Sequence, residues 1–108
     1  MGDEVDIQKI RKAVESRNVQ WHRHALERMM ERDLSRDEVT RTILLGDIIE
    51  EYRENHPCPS CLIHYRGEAD VHAVVAYDPQ SNVCHIVTAY RPDAEHFESD
   101  MRTRRVSS

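Results

Sequence analysis

Lysine is almost missing from this chain: of its 15 basic residues only Lys9 and Lys12 are lysine, and the other thirteen are arginine. Aromatic residues are scarce too, at 6%, with one Trp and one Phe. Aliphatic side chains must therefore fill a core that a composition of 39% hydrophobic and 32% charged residues keeps thin. No apolar run approaches the roughly 20 residues that cross a bilayer. The acidic start Met-Gly-Asp-Glu-Val-Asp lacks the basic region and apolar stretch of a secretory signal, so a cytoplasmic location and no membrane partner are expected. The three cysteines, Cys58, Cys61 and Cys84, are an odd count without an export signal, which argues against a disulfide framework and leaves free thiols or a small metal site. With few glycines and prolines, and no repeat, low-complexity tract or linker, the 108 residues read as one domain.

What the chain has in excess is arginine and histidine, within a net charge of −5. A GC-rich coding bias accounts for arginine without any function. A phosphate site accounts for it with one, because a planar guanidinium grips phosphate through two parallel hydrogen bonds where an ammonium offers a point charge.

Hydrophobic period organises the first half. Ile7, Ile10 and Val14 fall on one face of a helix over Asp6–Arg17, which Asn18 can end. Val19-Gln20-Trp21 reads as an extended link or a brief edge strand. A second helix over His22–Arg32 turns Ala25, Leu26, Met29 and Met30 inward. Ser35 followed by Glu38 is a capping box that opens a third helix, Arg36–Leu45, with Val39, Ile43 and Leu44 inward. Gly46 sits where a left-handed helix cap is expected. From there the pattern becomes extended, with strands Asp47–Tyr52, Ser60–Arg66, Val71–Asp78 and Val83–Tyr90. The connections at 67–70 and 78–82 are short enough to require antiparallel hairpins. Pro92 suits the first turn of a last helix over Asp93–Met101, ahead of a basic tail at 102–108. The expected fold is α+β: N-terminal helices (6–45) packed on a four-stranded antiparallel meander (47–90), then a short C-terminal helix (93–101). Neither sheet face is cleanly polar, so the second face is expected to be covered in part.

Several blocks together carry a resemblance. They are His24-Ala25-Leu26-Glu27-Arg28-Met29-Met30-Glu31-Arg32, Ser35 with Glu38, Gly46 to Tyr52, Pro59 to Ile63, His72-Ala73-Val74-Val75, Thr88-Ala89-Tyr90 with Pro92-Asp93, and Met101-Arg102-Thr103-Arg104-Arg105. In order and spacing this set resembles a bacterial domain family of unknown function, often encoded beside small zinc-finger antitoxins of the MqsA type. Its layout is similar to that of the RelE, BrnT and MqsR toxins. The resemblance implies a RelE/MqsR-like fold, a zinc-finger antitoxin as partner, and a messenger-RNA endonuclease that uses RNA or the ribosome as substrate and needs no cofactor.

The residues suit that chemistry on their own terms. Cutting RNA without a metal needs a base for the 2′-hydroxyl, an acid for the leaving 5′-oxygen and cations for the charge that builds on phosphorus. His24, His72 and Tyr90 are the candidates for proton transfer. Arg28 and Arg32, one helical turn apart beneath His24, and Arg102, Arg104 and Arg105 in the tail are the candidates for phosphate contact. Each has an ordinary alternative: a satisfied strand histidine, a sheet tyrosine with a wet hydroxyl, surface ion pairs to Glu27 and Glu31, or tail cations opposing a helix dipole. Arg11, Arg17, Arg36, Arg41 and Arg66 read as solvated positions.

Two other readings compete. Cys58 and Cys61, with His56 and His64, have the makings of a zinc site, although a zinc ribbon needs two such knuckles and residues three apart on a strand point to opposite faces. In the resembled family the position of Cys58 is commonly aromatic, which makes the pair incidental. The acidic net charge opposes nucleic-acid binding and favours a non-catalytic protein-binding module.

Overall fold

A computed structural model describes residues 5–56 and 58–106, so Pro57 in the irregular 53–59 connection and the last two residues of the tail fall outside the described residues. The elements run α1 (Ile7–Glu15), β1 (Val19–Trp21), α2 (Arg23–Glu31), α3 (Arg36–Leu45), β2 (Asp47–Tyr52), β3 (Ser60–Arg66), β4 (Asp70–Asp78) and β5 (Val83–Tyr90). Local chemistry sets the helix starts. The Asp6 carboxylate accepts from the backbone N–H groups of Gln8 and Lys9, and the Ser35–Glu38 capping box is complete in both directions.

Five strands, in the order β1-β5-β4-β3-β2, replace the expected four. Strands β2 to β5 form the antiparallel meander, while β1 adds to the far edge of β5 in parallel, Val19 opposite Cys84 and Trp21 opposite Ile86. The sheet is therefore mixed. A three-residue strand carries too little alternation to announce its partner, and parallel pairing has no short turn to betray it. Register shifts interrupt the ladder between Ile48 and Glu50 and between Val74 and Val75. The second sets the facing of Tyr90: a one-residue shift moves every later side chain to the other face, and here it leaves Tyr90 directly opposite His72.

One face of the sheet meets the helices. Ile10, Ala13 and Val14 of α1, Ala25 and Met29 of α2, and Val39 and Ile43 of α3 pack with Cys61, Ile63, Ala73, Val75, Cys84, Ile86 and Ala89. Each fully buried aliphatic side chain of this set contributes roughly 1.5–3 kcal/mol. Met30, expected inside, is 82% exposed because it lies one residue, about 100° of helix rotation, past Met29.

The opposite face is also partly covered, but not by a helix. The expected helix at 93–101 is absent. Asp93 instead accepts from the backbone N–H groups of Glu95 and His96, and Asp100 from those of Arg102 and Thr103, which folds the segment into turns. An isolated bridge joins Phe97 to Arg104, and Phe97, 2% exposed, is seated on the sheet. Position 46 brings a further correction. Gly46 has φ −84° and ψ −175°, an extended conformation rather than a left-handed one. A Cβ there would lie 2.4 Å from the carbonyl oxygen of His64 and 2.5 Å from that of Thr42. Glycine is needed because α3 and β3 approach each other through it.

Candidate functional site

The face away from the helices carries the polar chemistry. His64, His72 and Tyr90 stand opposite one another across β3, β4 and β5, with Asp47 of β2 next to His64. His72, fully buried, sits at the centre. Its Nδ1 lies 3.3 Å from the Tyr90 hydroxyl and its Nε2 lies 2.7 Å from the carbonyl oxygen of Met101. A carbonyl only accepts, so Nε2 carries the proton and donates to Met101, leaving Nδ1 to accept from the Tyr90 O–H. Phe97 closes edge-on at 4.6 Å between ring centroids. Burial holds the imidazole below its ordinary range and therefore neutral, although the Met101 hydrogen bond opposes the shift. Burial likewise raises the Tyr90 phenol, with Arg104 close enough to oppose it.

Arg104 reaches back from the tail to the same face. Its Nε donates to Glu50 Oε2 at 2.6 Å and its Nη2 to Glu50 Oε1 at 3.1 Å, a two-pronged pair, and the Tyr52 hydroxyl donates to the same carboxylate. Burial and Glu50 push the Tyr52 phenol up to about 12. Burial raises the Glu50 carboxyl, but hydrogen bonds from Arg104 and Tyr52 outweigh it and hold the group below its ordinary range.

Beside this closed centre lies an open cleft lined by Leu45, Gly46, Asp47, His64, Arg66 and Arg102, among others. His64 Nε2 is 2.6 Å from Asp70 Oδ1, to which Arg66 also donates at 3.0 Å. This is a carboxylate-oriented imidazole, the arrangement that fixes a tautomer for proton transfer. Arg102 donates from Nη2 to Asp47 at 2.7 Å, and its buried Nε has no partner. The two regions touch where the rings of His64 and His72 meet edge to face at 5.4 Å.

The family described as Domain of unknown function (DUF4258) matches residues 21–91. The chain belongs to this family. The matched span of the DUF4258 chain runs from Trp21 through α2, α3 and the meander to Arg91, and the tail that closes over His72 lies beyond it. No curated protein and no solved structure gives a match.

The residues chosen from sequence divide into two groups. His72, Tyr90 and Arg104 come together, with Arg102 bordering the adjoining cleft. His24, Arg28 and Arg32 do not join them. They lie along α2, whose Ala25 and Met29 pack on the helix side of the sheet, and His24 and Arg32 are exposed there. Arg105 stays within the tail, on Ala94 O and Glu98.

The zinc candidates also separate. Cys61 is buried in the helix-side core, its thiol pushed up to about 12 by burial, whereas His64 faces the other way onto Asp70, and His56 is exposed. Asp70 was not a sequence candidate, and His64 was one only for metal. The placement of His64 and Asp70 on either side of the short 67–69 hairpin connection is the available signal. Besides Arg66, which donates to Asp70, two more arginines expected at solvated positions have structural partners. Arg11 donates to Ile43 O and Gly46 O, satisfying the end of a helix with no basic residue in its last turn, and Arg36 lies 5.5 Å over the Trp21 ring.

Proposed function

We propose that the protein cleaves RNA without a metal, as the toxin of a toxin–antitoxin pair, and that the Tyr90–His72 pair is its proton relay. The observation that carries this reading is the convergence of a phenol, a neutral imidazole and the Arg104 guanidinium from β5, β4 and the tail. Burial keeps the Tyr90 phenol protonated near neutrality, so it works by handing on one proton as it takes another. The ribose 2′-hydroxyl gives its proton to the Tyr90 oxygen, and the Tyr90 proton passes to His72 Nδ1. The 2′-oxygen attacks phosphorus, the 5′-oxygen leaves with a proton from water, and the hydroxide so formed is neutralised as the relay runs back, His72 Nδ1 returning its proton through Tyr90. The imidazolium keeps its Nε2 bond to Met101, and the charges of Asp70 and Glu50 favour it. Arg104 offsets the negative charge on the phosphorane. His64, oriented by Asp70, places a second imidazole on the same face.

The test is a defined single-stranded RNA incubated with purified protein in EDTA, with and without ribosomes, alongside growth after induction. The expected outcome is cleavage leaving 2′,3′-cyclic phosphate ends, reduced about 10²–10⁴-fold in Tyr90→Phe. Intact RNA under both conditions together with harmless induction overturns the function. Cleavage at the parental rate by Tyr90→Phe overturns the relay.

One observation favours a second reading, a non-catalytic surface that binds a protein. Arg102, Arg104 and Arg105 are each held by a carboxylate, of Asp47, Glu50 and Glu98, so the tail offers little unneutralised charge to a phosphate backbone. On that reading the protein binds a protein partner while RNA stays intact.

A further inference from the structure

The last residue before α2 and a residue in the middle of β5 form a pair that the cleavage reading does not use. His22 is the N-cap of α2 and makes no side-chain cap, and its Nε2 lies 2.9 Å from Nδ1 of His85. The two rings are 5.1 Å apart between centroids and 27° from parallel. The pairing of β1 with β5 explains the encounter: Gln20 is opposite His85, and His22 follows two residues later along the same edge. Both rings reach solvent.

Each ring nitrogen stands roughly 1.1 Å from its own centroid, so a 5.1 Å centroid separation with 2.9 Å between nitrogens places the two nitrogens almost on one line. One N–H then donates to the other nitrogen's lone pair, and the pair shares a single proton.

The same spacing fits a metal ion. Imidazole binds borderline divalent ions at about 2.0–2.1 Å, and two such bonds at a right angle hold their nitrogens about 2.9 Å apart. An ion replaces the shared proton once each ring tilts by about 45°; His22 is exposed and His85 half-buried. The remaining positions on the ion fall to water. Asp78, whose carboxylate is tied into the β4–β5 turn by Gln80 and Ser81, lies near enough to His85 to add negative charge. We propose that His22 and His85 form a two-imidazole site for a divalent ion of the Cu²⁺ or Ni²⁺ class, whose square-planar or tetragonal geometry sets neighbouring ligands at right angles, and that the ion clips the three-residue strand β1 and the start of α2 to β5.

The sole tryptophan, Trp21, adjoins His22 and serves as the reporter. Cu²⁺ alone is titrated into the full-length protein under fluorescence, and Ni²⁺ alone by calorimetry. The parent, His22→Ala, His85→Ala and, as a control, His96→Ala are compared. His96 is the control because it belongs to a separate exposed group with Asp93 and Glu95. The expected results are saturable quenching with one ion per chain, affinity at least tenfold weaker in both His22→Ala and His85→Ala, unchanged affinity in His96→Ala, and an ion-dependent rise in Tm that both pair variants lose. Circular dichroism verifies that the variants are folded, and a double variant His22→Gln, His85→Gln supplies the comparison if either alanine variant is not. Parental affinity in both pair variants, or loss only in His96→Ala, overturns the proposal. RNA cleavage is not part of the readout, so this result and that of the cleavage test are independent.

Discussion

Gly46→Ala sets two physical effects against each other, and the structure decides the sign. The backbone at Gly46 is extended, with φ −84°, which alanine adopts without strain. On chain entropy alone the substitution stabilises the protein by about 0.4–1 kcal/mol. Against that, the new methyl group would lie 2.4 Å from His64 O, 2.5 Å from Thr42 O and 3.0 Å from the His64 carbonyl carbon. These are backbone atoms on two elements, so no side-chain rotation relieves the overlap. Overpacking costs about 1–3 kcal/mol, and a two-sided backbone clash falls at the upper end. The net expectation is a loss of about 2 kcal/mol. At roughly 4–8 °C per kcal/mol for a domain near this size, Tm falls by about 8–16 °C. Urea unfolding followed through Trp21 measures the change, with the midpoint moving and the slope unchanged. Stability equal to or above that of the parent would refute the close approach of α3 to β3 and, with it, the placement of the cleft wall.

Four further expectations follow from named contacts. Ser35→Ala removes the side-chain oxygen that accepts from the Glu38 backbone N–H and should cost about 1 kcal/mol in denaturant unfolding; no change would mean that the box does not hold α3. Folded-state lowering of His72 makes the unfolded chain bind a proton first as pH falls below about 6.5. Stability should therefore decline from there downward, and decline further below about pH 4.5 as Glu38, Glu50 and Asp70, all held below their ordinary range, must be protonated. In His72→Gln the first part of that slope should vanish whatever its absolute stability, and a slope identical to the parent's would contradict the assignment. Thiol labelling of the native protein should modify Cys58 and spare Cys61 and Cys84, which are buried with thiols pushed up to about 12; rapid labelling of all three without denaturant would refute that burial.

The parts of the fold that could be read in advance are those whose signal is local. The 3.6-residue period of Ile10 and Val14, the Ser35–Glu38 box and the short connections at 67–69 and 79–82 each specify structure within a few residues. The C-terminal segment misled because Pro92 and the acids after it imitate a helix start. Ala94, Phe97 and Met101 even share one helical face, but three apolar residues among nine make a stripe too thin to hold so short a helix. Phe97 gains more by seating on His72 while Asp93 and Asp100 tie down the backbone as turns.

By itself the sequence determined the three N-terminal helices and the antiparallel meander of β2 to β5, and it offered His72, Tyr90 and Arg104 among a longer set of candidates. Only the tertiary structure decided which of the histidines and arginines meet. Arg104 finds Glu50 and Arg102 finds Asp47 across more than fifty residues, His22 finds His85 across a parallel edge, and α2 carries His24, Arg28 and Arg32 to the other side of the sheet. Period and capping act over one or two turns of chain. Such encounters depend instead on strand order and on register, where a shift of one residue at Val74 and Val75 is enough to turn Tyr90 toward His72 or away from it.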